Sequence, residues 1–185
     1  MLRVATAECF THGYVGREIH ASASGYTGEL GSEILGTELE GRVSVVAACF
    51  IPTISGLRGL LGVDPPEPDY TTKSGAKAYS EEKDREVAKL MARAVRERTG
   101  ADVGIGTTAG IGRGAICLDD GRVTVVARTD VHANLLRPDE RIARRQRQGV
   151  RRALLLFRAY VEGELAEVVE KEWVVEARGV TSGPP

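Results

Sequence analysis

Within Ala7-Glu8-Cys9-Phe10-Thr11-His12-Gly13 a thiol, a carboxylate and an imidazole fall inside five residues. Such a set can perform nucleophilic chemistry: a thiolate attacks an electrophilic carbon, a neighbouring base takes its proton, and backbone N–H groups receive the charge that develops. Leu2 to Ala7 reads as a short buried strand, and Thr11 to about Ser22 can form a helix with Thr11 as its N-cap. Cys9 then lies at the carboxyl end of a strand, where the positive end of the following helix favours a thiolate. The same spacing fits a small buried hydrophobe, which is what most lone cysteines are. His12 can share a helix face with Cys9 as base or ion-pair partner, or lie on the surface. Cys49 and Cys117 fall inside predicted strands and read as packed residues. Three separated cysteines exclude a disulfide framework and a Cys-x-x-Cys site, and Glu8, Cys9 and His12 on one turn do not predict a metal.

A second candidate is Thr107-Thr108-Ala109-Gly110-Ile111-Gly112-Arg113-Gly114. Its glycines allow a phosphate to approach the backbone and Arg113 can pair with it, yet the spacing is neither a P-loop nor a dinucleotide fingerprint. A tight structural turn accounts for it equally. The basic run Arg141, Arg144, Arg145, Arg147, Arg151, Arg152 reads as a solvated helix face, from which Arg144 or Arg145 can reach an anionic ligand or a partner subunit.

The elements that must position these groups follow from patterning. Arg42 to Ile51 has the character of a central strand, and Ser55 to Gly62 of a brief helix. Val63 to Pro68 is extended by its prolines. Ser80 to Thr99 is a helix capped by Ser80 with an apolar stripe through Val87, Leu90, Met91, Ala94 and Val95. Ala101 to Gly106 is a buried strand, and Ala115 to Leu118 with Val123 to Arg128 form a hairpin around Asp119-Asp120-Gly121. Pro138 starts a long helix that Gly163 kinks or ends. Helices among buried strands predict an α/β layered fold with a mixed, mostly parallel β-sheet flanked by helices. The chain of 185 residues, 42% of them apolar, suits one domain over 1–178, with 179–185 a flexible tail. In such sheets ligands bind beyond the carboxyl ends of the strands, so the turns at Cys9 and at Thr107 face one pocket if their strands are neighbours. A net charge of −1 without a basic, aromatic-interleaved patch argues against nucleic acid, and no apolar run is long enough to span a membrane, so the expected location is cytoplasmic.

TAECFTHG, KAYSEEKDREVAKLMARA, TGADVGIGTTAGIGRG and RPDERIARRQ follow, in that order, the pattern of the CinA C-terminal domain, the nicotinamide mononucleotide deamidase family. That family carries Ala-Glu-Ser-Cys-Thr-Gly-Gly, and the resemblance sets Cys9 in the place of its nucleophilic serine. Pro52 and Leu57 stand about where its tyrosine and lysine belong, a departure from deamidase chemistry. Over nearly the full length the chain more closely resembles the HcgF family of methanogenic archaea, which serves synthesis of the iron-guanylylpyridinol (FeGP) cofactor of [Fe]-hydrogenase. TAECFTHG, the segments around Tyr70 and Tyr79, AKLMA, TTAGIG and Arg145-Gln146-x-x-Gly149 carry that likeness. The resemblance implies that Cys9 attacks the activated carboxyl group of guanylylpyridinol, adenylylated by a separate enzyme, and holds it as a thioester. It implies guanylylpyridinol as ligand, no tightly bound cofactor, and a homodimer. On that reading Glu8 and His12 assist Cys9, while Phe10, Thr11, residues Thr107 to Arg113 and Arg145 bind the ligand. The alternatives are a deamidase-like amidohydrolase and a non-catalytic nucleotide-binding module.

Overall fold

The computed structural model describes residues 1–181; residues 182–185 of the expected tail lie outside the described residues. The chain runs β1 (Leu2–Glu8), α1 (Tyr14–Ala23), α2 (Ser32–Leu35), β2 (Val43–Phe50) and α3 (Ile54–Gly56), the last continuing into a π turn over Leu57–Leu61. It goes on through β3 (Tyr70–Thr71), β4 (Lys77–Ala78), α4 (Glu81–Thr99), β5 (Val103–Thr108), β6 (Ile111–Gly112), β7 (Ala115–Asp119) and β8 (Thr124–Ala127). Last come β9 (Ala133–Asn134), α5 (Glu140–Glu162), α6 (Leu165–Val168) and β10 (Val174–Arg178).

Six strands form one mixed sheet in the order β10-β8-β7-β5-β1-β2. β2, β1 and β5 are mutually parallel, and β5, β7, β8 and β10 pair antiparallel. The layered α/β fold with a mixed sheet between helices is the one the sequence implies, but the sheet is not mostly parallel: β7, β8 and β10 add an antiparallel half to the three parallel strands. β1 leads through α1 to β2 on one side, while β5, reached through α4, lies on the other. The carboxyl end of β1 is therefore the point where strand order reverses, the place at which open α/β sheets hold ligands.

Side chains alternate along β1 as a strand requires. Val4 joins the core built with Val15 and Ile19 of α1 and Leu154 and Phe157 of α5. Ala5, Ala7 and Cys9 instead face the cluster of Leu57, Tyr79, Val87 and Met91 on the α4 side. In β5 the α4-facing positions are Gly104 and Gly106, where a Cβ would run into the carbonyls of Ala92 and Ala88, so their bareness lets α4 lie directly on the strand. None of the helices among the described residues is long and apolar enough to cross a membrane.

Five details differ from the sequence reading. β2 is an edge strand: Val43 and Val45 join the α1-side core and Ala47 and Cys49 the α4-side cluster, while Val46, Ala48 and Phe50 of the same apolar run are exposed. α1 begins at Tyr14 behind a left-handed Gly13, so Thr11 does not cap it. α5 begins at Glu140, and its cap is Asp139, whose carboxylate accepts the Arg141 N–H at 3.0 Å, rather than Pro138. Ser80 occupies the N-cap of α4 without a capping bond from its hydroxyl. β10 is an element that sequence patterning did not disclose.

A Cβ at Gly16 would lie 2.5 Å from Ala48 Cβ and 2.7 Å from Thr6 Oγ1, so α1 can approach β1 and β2 only through glycine. Gly16→Ala should lower stability by about 1–3 kcal/mol, measured by denaturant unfolding. An unchanged midpoint would mean that the contact relaxes freely.

Candidate active site at the end of the first strand

The turn after β1 is organised by the buried Glu8 carboxylate. Its Oε1 accepts from Thr6 Oγ1 at 2.9 Å and Gly16 N at 2.8 Å; its Oε2 accepts from Thr11 Oγ1 at 2.6 Å and Val15 N at 3.1 Å. Two of these donors are first-turn N–H groups of α1, so the positive end of that helix is given to Glu8 and not to Cys9. The Thr11 hydroxyl hydrogen goes to Glu8, so the 2.7 Å contact between Thr11 Oγ1 and Thr107 Oγ1 has Thr107 as donor. Thr107 in turn accepts the Cys9 N–H, at 2.9 Å through its carbonyl and 3.3 Å through its hydroxyl. Thr11 and Thr107 thus join the turns after β1 and β5, which the parallel register sets side by side, Glu8 opposite Thr107.

Between Glu8 and α1 the backbone makes a left-handed passage at His12 (φ 55°) and Gly13 (φ 84°), an uncommon conformation for a residue with a side chain. The His12 N–H donates to the Cys9 carbonyl at 3.2 Å, closing the turn. The expectation of Cys9 and His12 on one helix face is corrected: both precede α1. They meet instead at a cleft of about 310 Å³, a size at the lower end of small-molecule sites. Its walls are Cys9, Phe10, His12, Phe50, Pro52, Thr53, Ser74, Ala76, Ala109, Leu135, Ile142 and Arg145. The Cys9 residue is 6% exposed, at the floor. The His12 ring stands edge-on to Phe50, ring centres 5.1 Å apart. Burial pulls the imidazole below its ordinary range against the opposing charge of Glu8, which keeps it neutral and able to accept a proton at pH 7. The Phe10 and Thr11 N–H groups make no hydrogen bond among the described residues. Burial pushes the Cys117 thiol up, an inert setting, and Cys49 packs against the α4-side core.

Of the glycine-rich segment, only Ala109 reaches the cleft. A Cβ at Gly110 would strike the Tyr79 backbone, Gly112 (φ 132°) lies against Glu81, and Gly114 (φ 73°) against Ala109. These glycines fit the chain against its own neighbours, the structural-turn alternative. Thr108 Oγ1 and Gly110 N donate to the buried Asp84 at 3.4 and 2.9 Å, Ile111 N donates to the Tyr79 carbonyl, and Arg113 pairs with Glu81 at 3.4 Å, away from Cys9. Arg145, by contrast, departs from the solvated basic face: it is 1% exposed, while Arg144 beside it is in solvent. Its Nη1 donates to the carbonyls of Gly110, Gly112 and Ala133 at 3.2, 2.8 and 3.0 Å, and its guanidinium carbon stands 5.9 Å from the Phe10 ring centre. Sequence reasoning missed the walls Phe50, Thr53, Ser74, Ala76, Leu135 and Ile142. The exposed aromatic Phe50 at the end of an otherwise apolar strand was the one local signal. No group of three or more His, Cys, Asp or Glu side chains among the described residues is arranged to hold a metal ion.

Two predictions follow from this geometry. Glu8→Gln keeps the shape but turns one acceptor oxygen into a donor facing two donors, so it should cost about 3 kcal/mol, or roughly 5–10 °C in Tm by calorimetry. Desolvation raises the Asp84 carboxyl to about 7, against the pull of the Gly110 N–H, Arg145 and Lys77. A carboxyl raised in the folded state favours folding below its unfolded value and loses that contribution as pH climbs through 7. Asp84→Asn should therefore flatten the fall in Tm between pH 4 and 8, whatever its own level of stability; a parallel pair of curves would contradict this.

Residues 1–161 match the family described as FeGP cofactor biosynthesis protein HcgF. A UPF0254 protein of Methanopyrus kandleri is 80% identical over 95% of this chain and 97% of its own. UPF0254 proteins of Methanothermobacter thermautotrophicus (50% identity, 88% and 100% covered) and Methanocaldococcus jannaschii (42%, 94% and 99%) are similar along the same span. The chain belongs to the HcgF family of FeGP cofactor biosynthesis proteins.

Proposed function

We propose that the cleft binds guanylylpyridinol and that Cys9 captures its adenylylated carboxyl group as a thioester. The observation that carries this reading is the position of Cys9: a thiol at the floor of a cleft, at the strand-order reversal, that the His12 imidazole also lines. Phe10, Phe50, Pro52, Leu135 and Ile142 give the cleft apolar walls suited to a flat aromatic ring such as the pyridinol. In the step, the Cys9 thiol proton passes to His12, the sulfur bonds to the acyl carbon, and the carbon–oxygen bond to the phosphoryl group breaks. Adenosine monophosphate leaves with that electron pair. The Phe10 and Thr11 N–H groups, without partners among the described residues, suit the oxyanion formed on the way. A thioester keeps the acyl group more reactive than a serine ester would, which suits an acyl group bound for further transfer. The acyl donor comes from a separate adenylylating enzyme.

Intact-mass analysis after incubation with guanylylpyridinol, ATP and the adenylylating enzyme should show one guanylylpyridinol-sized adduct that hydroxylamine removes. Cys9→Ala should show none, and His12→Gln should form the adduct about 10²-fold more slowly near pH 7. An adduct of equal amount on Cys9→Ala would overturn the assignment.

A further inference from the structure

Arg145 is buried, yet its charge has no carboxylate bonded to it among the described residues. Buried cations are ordinarily paired, because an isolated charge in a poorly solvated place is costly. Only Nη1 is engaged, by three backbone carbonyls that fix the plane of the guanidinium. Nε is buried without a partner and Nη2 makes no hydrogen bond among the described residues. Nε and Nη2 form the side-on edge of an arginine, the edge that grips a carboxylate or phosphate with two parallel bonds.

The surroundings leave that edge in need of an anion. Lys77, also buried, donates its Nζ to the Ile51 carbonyl at 3.0 Å and meets no carboxylate there. Asp84 is the buried acid that both cations feel, and its oxygens are engaged by Gly110 N and Thr108 Oγ1. Glu8 is occupied by its four donors. Two buried cations thus share the influence of one buried carboxylate, and Cys9 lines the same cleft as Arg145.

We infer that Arg145 is a catalytic residue and the anion receptor of this cleft, its unbonded Nη2 taking an anionic oxygen that the acyl donor carries next to the carbon Cys9 attacks. The inference rests on Cys9 as nucleophile and assigns the residue that selects its charged acyl donor over neutral ones. Donors with a charged oxygen beside the acyl carbon, such as mixed anhydrides of phosphoric acid, are selected over neutral amides and esters.

Alkylation of Cys9 tests this without guanylylpyridinol. Iodoacetate and iodoacetamide react alike, sulfur bonding to the methylene carbon as iodide leaves, but only iodoacetate carries a carboxylate. Rates at Cys9 are read by peptide mass at pH 8, where His12 is neutral, for the intact chain, Arg145→Gln and Arg145→Lys. The iodoacetate-to-iodoacetamide ratio at Cys9 should exceed that of free cysteine about tenfold, the size of one charge-assisted contact. It should fall to the free-cysteine value in Arg145→Gln and stay raised in Arg145→Lys. Loss of packing alone would change both rates together and leave the ratio. Should Arg145→Gln not fold, inorganic phosphate supplies the second arm: it should slow iodoacetate more than iodoacetamide in the unaltered protein. A ratio equal to that of free cysteine, or one indifferent to Arg145→Gln, overturns the role of Arg145 and leaves the Cys9 reading standing. A Cys9 inert to both reagents contradicts the nucleophile itself and this inference with it.

Discussion

The Glu8 carboxylate, on the last residue of β1, accepts four hydrogen bonds that tie the strand to the turn and to the first turn of α1. A buried acid without such partners would be expelled or neutralised, and a helix start without an acceptor would leave its first N–H groups orphaned. Each need meets the other here. The turn between them is then fixed in path, and fixing it forces His12 and Gly13 into left-handed backbone and sets Cys9 at the floor of the cleft. The Thr11–Thr107 contact carries the same constraint to β5, so the two central parallel strands present their ends as one surface.

On the opposite wall a cation plays the corresponding part. Arg145 reaches from α5 to the carbonyls of Gly110, Gly112 and Ala133, tying the β6–β9 ladder to the helix. Where Glu8 has all its bonds within the chain, Arg145 keeps one edge free. The cleft therefore has a saturated carboxylate on the side of Cys9 and, lining the same cleft, a cation with unbonded donors.

Much of this was legible in the residue pattern because it is local. The strand Leu2 to Ala7, the helix ending at Gly100, the hairpin around Asp119-Asp120-Gly121 and Cys9 at a strand end all follow from periodicity and turn chemistry. What escaped is set by pairing across the chain. Thr11 has the side chain of a cap, but the capping acceptor comes from Glu8 of the preceding strand, seven and eight residues before the N–H groups it serves. Arg145 sits in a basic run indistinguishable from a solvated face, and only the packing of α5 on β9 buries it. The glycines at 110, 112 and 114 resemble a ligand cradle because close approach looks the same in sequence whether the visitor is a phosphate or the chain's own backbone. β10 is short, carries Glu176 and Arg178, and depends on β8 for its identity as a strand.

The central claim is that Cys9 is the acyl acceptor, and its most direct test is the pre-steady-state release of adenosine monophosphate from preformed guanylylpyridinol adenylate. The account predicts a burst equal to one adenosine monophosphate per Cys9, completed before any acyl acceptor is added and absent from Cys9→Ala. Release that proceeds without a burst, or at the same rate when Cys9 is gone, would contradict it.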